Sequence, residues 1–173
     1  MRISPKHQKE IEKLLPKTMW QGFLDEAIET ALKKKKSEQS TVVEIYTDGG
    51  SRGNPGPAGG GFVAYKGGKV VLKGGEYFGE KTNNQAEYLA LRLALRETYD
   101  QFPDAHVKCF LDSKLAVEQM NGNFKVKSEN VRPLFEEVRR IADQFVSFSI
   151  QHIPRAQNKL ADKLANEAMD QYS

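Results

Sequence analysis

The sequence predicts an α/β protein, a five-stranded mixed sheet flanked by helices, with a separate helical segment in front of it. Short apolar, β-branched runs are interleaved with longer stretches of helical periodicity. The predicted order is β-β-β-α-β-α-α-β-α, which suits a sheet with helices on its faces. Dense glycine and proline between the first runs marks turns and not helix. At 173 residues the chain has room for one well-packed domain and a modest appendage.

Residues 1–40 form the predicted appendage, helical and basic, and residues 41–173 the main domain. Pro5 and Pro16 punctuate the appendage, each followed by an amphipathic stretch, Gln8–Leu15 and Met19–Lys36. In the second, Trp20, Phe23, Leu24, Ala27, Ile28, Ala31 and Leu32 recur at helical spacing. This stripe is expected to pack against the main domain or a second copy. Lys33–Lys36 and the following SEQS read as a solvated helix end and a linker.

From Thr41 the period changes. Val42–Tyr46 is the first predicted strand, and Gly49–Gly60 a glycine- and proline-rich turn. Gly61–Lys66 and Lys69–Phe78 follow as a hairpin around KGG. A helix is predicted from Asn84 to about Tyr99, with Ala86, Leu89, Ala90, Leu93 and Ala94 on one face. Val107–Leu111 is the fourth strand and Ser113–Met120 a short helix. NGNFKVKSEN is a loop, and RPL opens a helix over Val131–Phe145. Val146–Ile153 alternates as the fifth strand, and a closing helix runs from Gln157 to about Gln171.

Within this pattern four acids stand where a carboxylate is hard to explain structurally. Asp48 and Asp112 follow apolar strand runs, while Glu87 and Asp162 fall inside helical patterns among core-facing residues. A carboxylate near a core is costly unless it is paired or binds a metal. Four together repel one another unless divalent cations lie between them, and hard cations prefer oxygen ligands. The pattern therefore points to a carboxylate cage for two metal ions and to phosphodiester hydrolysis. No Ser/His or Cys/His nucleophile set competes with it.

Composition narrows the setting. Hydrophobic content of 39% and charged content of 28% are those of an ordinary globular protein. Cys109 is the only cysteine, so no internal disulfide forms, and its apolar run makes it a buried thiol. No stretch reaches the roughly 20 apolar residues of a membrane span, and the N-terminus lacks a secretory core. A cytoplasmic protein with no membrane partner is expected. Residues 1–41 hold nine Lys and Arg against six Asp and Glu, so the net charge of +3 resides there. The remainder balances, and must attract polyanions through local patches and bound metal.

YTDGGSRGNPGPAG, TNNQAEYLAL, LDSKLAV and NKLADKLAN occur in that order across residues 42–170. Together they resemble type 1 ribonuclease H, and four such strings in register make the resemblance specific. It implies the ribonuclease H-like fold, a five-stranded mixed sheet with flanking helices. It also implies hydrolysis of the RNA strand of RNA/DNA hybrids with two Mg2+ ions, or Mn2+ in their place, leaving 3′-hydroxyl and 5′-phosphate ends. No small-molecule cofactor is implied, and a monomer is slightly favoured. By position Asp48, Glu87, Asp112 and Asp162 match the four metal-binding carboxylates, with Asp48 at the centre as the bridging ligand. Gly49, Ser51, Gly53, Asn83, Asn84 and Gln85 match residues lining the RNA strand, where amides can read 2′-hydroxyls. Thr82 and Asn84 match residues that hold a DNA-strand phosphate. For Asn83 and Asn84, helix capping is an alternative or additional role.

Two features depart from the best-known pattern. The tryptophan-rich basic insertion of many members is reduced here to NGNFKVKSENVRP, leaving Phe124, Lys125 and Lys127 to grip substrate with the groove and the appendage. The residue that assists product release is either His152 or Arg155. Relatives with a longer loop place a histidine ten residues before the last aspartate, and those with a shorter loop an arginine seven before it. HIPRAQN looks like the short form and favours Arg155. Strand alternation sets His152 with Phe148 and Ile150, facing the sheet's packing. The appendage lacks the strands and aromatic cluster of the hybrid-binding module that some relatives carry, and Lys33–Lys36 are expected to add a salt-sensitive contact.

Other classes fit less well. A non-catalytic nucleic-acid-binding relative is expected to lack one or more of the four acids. A sugar-kinase-like or actin-like ATPase needs two such domains. A piece of a reverse transcriptase polyprotein would run the same chemistry, although Met1 and the appendage favour a free-standing protein.

Overall fold

The sheet is built outward from β1, Val42–Ser51. Val43, Ile45 and Thr47 are fully buried on one face, while Glu44 and Tyr46 on the other are half-buried. This is the period-2 alternation of a strand with one face on the main core. β2 (Gly56–Lys66) and β3 (Lys69–Lys81) extend the sheet antiparallel on one side. β4 (His106–Leu111) and β5 (Ser147–His152) extend it parallel on the other. The strand order is β3-β2-β1-β4-β5.

The computed structural model describes residues 22, 25–30 and 41–172. The chain divides into two compact units, Met1–Gln39 and Ser40–Ser173. In the first, Gly22 and residues 25–30 are helical and exposed, with Ile28 at 51%. The expected stripe at Trp20, Phe23, Leu24, Ala31 and Leu32, and the run Lys33–Lys36, lie outside the described residues.

Helix α1 (Asn83–Gln101) crosses from the antiparallel to the parallel half of the sheet and packs on β1 and β2. Tyr88, Leu91, Ala94 and Leu95 enter the main core with Val107, Cys109 and Leu111. α2 (Lys114–Met120) and α3 (Arg132–Ala142) lie beyond it; α3 packs on α1, where Arg92 Nη1 meets Glu137 Oε2 at 3.2 Å. A short 3₁₀ turn, Arg155–Gln157, leads into α4 (Lys159–Asp170), which contacts β2, β3 and β1.

Two close approaches set the positions of these helices. A β-carbon on Gly49 would lie 2.2 Å from the Ala86 carbonyl oxygen, so the α1 backbone rests directly on β1. A β-carbon on Gly61 would lie 2.5 Å from both Ala161 O and Ala165 N, so α4 rests on β2 in the same way. Only glycine permits such contact.

Some boundaries differ from those expected. The turn predicted over Gly49–Gly60 spans only Arg52–Pro55, because Gly49–Ser51 and Gly56–Gly60 pair across β1 and β2. Low strand propensity is overridden there by the ladder and by the helices that need bare backbone beneath them. The helix expected over Val131–Phe145 stops at Ala142. His152 was expected to face the packing with Phe148 and Ile150, yet it is exposed at the last position of β5, where the buried alternation ends at Ile150.

The seating of α4 generates a prediction. Gly61→Ala should force α4 away from β2 and destabilise the protein by about 1–3 kcal/mol, the usual cost of overpacking. Thermal unfolding measures the loss. Turnover should fall as well at temperatures where the variant is fully folded, because α4 carries Asp162.

Candidate active site

Parallel register brings two of the acids together. Thr47 pairs with Leu111, so Asp48 and Asp112 come one step later on adjacent strands. Neighbouring strands lie about 4.8 Å apart, which leaves the two carboxylates side by side at the carboxyl end of the parallel pair. Glu87 reaches the same place from the first turns of α1, which is seated on Gly49. Asp162 arrives from the first turn of α4.

Asp48 and Glu87 are buried, at 8% and 6% exposure. Burial and the neighbouring Asp112 and Asp162 push the Asp48 carboxyl up to about 7, against a smaller opposing pull from Arg155. Glu87 is pushed well above the usual carboxylate range, first by burial and then by Asp48 and Asp112. A hydrogen bond from the Gly49 backbone offsets part of that rise. Glu87 Oε2 is buried with no hydrogen-bond partner among the described residues. The cluster is therefore rich in oxygen donors, short of positive charge and incompletely satisfied. That donor set fits hard divalent cations.

The closed cage expected at Asp48, Glu87, Asp112 and Asp162 is not preformed. As the side chains stand, no three His, Cys, Asp or Glu among the described residues are grouped to hold an ion. Like charges without a cation repel, and the outer acids take other partners. Asp112 Oδ1 accepts from Asn158 Nδ2 at 2.8 Å, and Asp162 Oδ1 accepts from Arg155 Nη2 at 2.5 Å. Arg155 is largely exposed, so its guanidinium bridges the carboxylates and solvent. No contact between His152 and any of these carboxylates is present among the described hydrogen bonds and ion pairs.

The predicted substrate-lining residues fall into two neighbouring groups. In the β1–β2 turn, Ser51 Oγ donates to the Gly53 carbonyl at 2.6 Å, and Gly53 has φ +107°. Asn54 Oδ1 accepts from the Asn83 backbone N–H at 3.1 Å, which joins the turn to the start of α1. Thr82 and Gln85 form a capping box, so the cap is made by them and not by Asn83 or Asn84, whose side chains stay exposed. Asn84, Lys125 and Lys127 line a groove of about 520 Å³ with Leu115, Gln119 and Phe124. Gln119 anchors its floor, accepting from Tyr88 Oη at 2.9 Å and donating to the Lys125 carbonyl at 3.4 Å.

Sequence reasoning passed over Asn158 and Arg52. Asn158 is one helical turn before Asp162, a spacing that could have drawn attention to it. Arg52 forms an ion pair with Asp170 that ties the β1–β2 turn to the end of α4, a pairing 118 residues apart with no local signal.

The model of the family described as "Reverse transcriptase-like" matches residues 46–168. The chain is similar to a protein named ribonuclease HI from Halobacterium salinarum, 44% identical over 130 residues, covering 74% of this chain and 64% of that protein. A bifunctional protein of Mycobacterium tuberculosis is 42% identical over 130 residues, covering 74% of this chain but 35% of its own length. The chain thus spans about a third to two thirds of these relatives. Among solved structures, LC11-RNase H1 in complex with an RNA/DNA hybrid superposes with a TM-score of 0.72 at 41% identity, covering 75% of this chain and 98% of that one.

The raised Asp48 carboxyl predicts how stability follows pH. Its folded pKa of about 7 lies above its unfolded value of about 4. The folded state therefore holds the proton more tightly, and stability falls as pH rises between those values. In EDTA, Asp48→Asn should raise the melting temperature at pH 8, with a gain of about 1 kcal/mol or more, and the gain should shrink towards pH 4. Melting curves across that range test it; a variant less stable than wild type at pH 8 would contradict it.

Proposed function

The chain belongs to the type 1 ribonuclease H family, and from that membership we propose that it is an endonuclease cutting the RNA strand of RNA/DNA hybrids, using two Mg2+ ions, or Mn2+, at Asp48, Glu87, Asp112 and Asp162. The observation that carries this reading is the convergence of these four acids on the carboxyl ends of β1 and β4, where Asp48 and Glu87 resist ionisation without a cation. The bound cations would supply an acidified water for in-line attack and a counter-charge for the leaving oxygen, giving 3′-hydroxyl and 5′-phosphate ends.

The chain's own groups prepare that step. Asp48 interacts electrostatically with Glu87, Asp112 and Asp162 and is the candidate bridging ligand. Glu87 contributes a carboxylate oriented by the Gly49 N–H, with Oε2 left free to bind. Asp112 is held by Asn158, and Asp162 is held at the solvent edge by Arg155. Arg155 carries the one cationic group in contact with these acids among the described residues. Its contact with Asp162 and its exposure support assigning it the product-release role. Ser51, Gly53, Asn83, Asn84 and Gln85 would meet the RNA strand through amides and a hydroxyl suited to 2′-hydroxyls. The groove at Asn84, Lys125 and Lys127, with Thr82 nearby, would take the DNA-strand phosphates.

Incubation with a labelled RNA/DNA hybrid, a DNA duplex, an RNA duplex and single strands tests the proposal. Only the RNA of the hybrid should be cut, EDTA should abolish cutting, and Asp48→Asn should lower turnover at least about 100-fold while hybrid binding persists. Hybrids with 2′-deoxy residues around the scissile phosphate should resist. Cutting that survives full chelation would contradict the mechanism.

The two candidates for product release separate in a second experiment. Arg155→Ala should lower kcat about tenfold with the melting temperature nearly unchanged, since Arg155 is largely exposed. His152→Ala should leave kcat within about twofold. The opposite ranking would give the role to His152.

A further inference from the structure

We infer that Asn158 is a positioning residue, whose side-chain amide fixes the Asp112 carboxylate and sets three of the four acids in register. The inference rests on the hydrolytic reading above. Asn158 stands at the N-terminus of α4, where an asparagine normally turns its side-chain oxygen back to cap the helix. It makes no such cap bond and is 1% exposed. Its Nδ2 instead donates to the Thr47 carbonyl at 2.8 Å and to Asp112 Oδ1 at 2.8 Å. Both partners are acceptors, so reversing the amide would face oxygen against oxygen. The orientation of the side chain is set by this chemistry.

The price of this arrangement is visible. Asn158 Oδ1 is buried with no hydrogen-bond partner among the described residues, and the cap of α4 is forgone. A residue serving the helix alone would not give up both. What it gains is a direct hydrogen-bonded link from the start of α4 to the neighbouring ends of β1 and β4. Thr47 precedes Asp48 on β1, and its sheet partner Leu111 precedes Asp112 on β4. The Asn158 carbonyl also accepts the Asp162 N–H at 3.0 Å, one turn into α4. A single residue thus touches the places where Asp48, Asp112 and Asp162 are presented. Without its N–H, Asp112 would be free to rotate away from Asp48 and relieve their repulsion. The carboxylates would then have to be gathered again each time a cation bound.

The test uses the full chain with Asn158→Ala and, prepared alongside it, Asn158→Ser, which keeps a donor and is measured alone if the alanine variant does not fold. Two readouts are needed: the Mg2+ concentration giving half of the maximal thermal shift without substrate, and kcat with KM on the hybrid. The half-point should rise and kcat fall, each about tenfold or more in Asn158→Ala and less in Asn158→Ser, as for other groups that orient metal ligands. KM for the hybrid should stay within about twofold. In an Asp112→Asn background the same substitutions should move the half-point by less than about twofold, because the bond they remove no longer holds a carboxylate. A lower melting temperature in EDTA with the Mg2+ half-point unchanged would reduce Asn158 to a structural residue and overturn the inference. So would an undiminished effect in the Asp112→Asn background. If wild type bound Mg2+ but left hybrids uncut, the proposed function would fall while the thermal-shift comparison still decided the role of Asn158.

Discussion

Repulsion among carboxylates that cannot move apart is the constraint on which this molecule turns. Asp48 and Asp112 leave neighbouring parallel strands at the same step, so the hydrogen-bond register itself holds them side by side. Glu87 and Asp162 are brought in by helices whose backbones lie on Gly49 and Gly61. The backbone positions that present these acids are fixed by the sheet register and by helix packing, and Asn158 and Arg155 hold the side chains of Asp112 and Asp162. The strain falls instead on protonation, and burial together with mutual repulsion raises Asp48 and Glu87 above their ordinary values. The site is assembled by packing against its own electrostatics, as in many functional sites where stability is traded for chemistry.

The surroundings follow from that constraint. The outer carboxylates are held by donors within reach, Asp112 by Asn158 and Asp162 by Arg155. The inner Glu87 keeps a buried oxygen with no hydrogen-bond partner among the described residues. The residues proposed to meet substrate are tied to their neighbours. The β1–β2 turn is clasped to α1 through Asn54 and to α4 through Arg52, while the groove beside α2 has its floor pinned by Gln119. A turn and groove tied down in this way, next to a site short of positive charge, are what the proposed binding of a polyanion together with metal would require.

Much of this was legible in the sequence because it is written locally. Apolar alternation located the strands, and helical spacing located α1 and α4. The four acids stood out because an apolar run or a core-facing helix position has no other use for a carboxylate. What stayed hidden depends on partners distant in the chain. The glycines at 56–60 look like a turn, and only the ladder with β1 and the helices above them reveal a strand. His152 alternates with core residues, yet it is exposed at the end of β5. Asn158 looks like a helix cap until Thr47 and Asp112, 111 and 46 residues away, appear beside it.

The central claim is that the buried pair Asp48 and Glu87 holds protons more tightly than ordinary carboxylates until a divalent cation replaces them. Calorimetric titration of the chain with Mg2+ at pH 7, repeated in buffers of different ionisation enthalpy, measures the protons released on binding. With Asp48 near half-ionisation at that pH and Glu87 raised in the same direction by its burial, binding should expel protons, and release should diminish at pH 9 as Asp48 loses its share. A binding enthalpy that is the same in every buffer at pH 7 would mean that the carboxylates were already ionised, and would contradict the account.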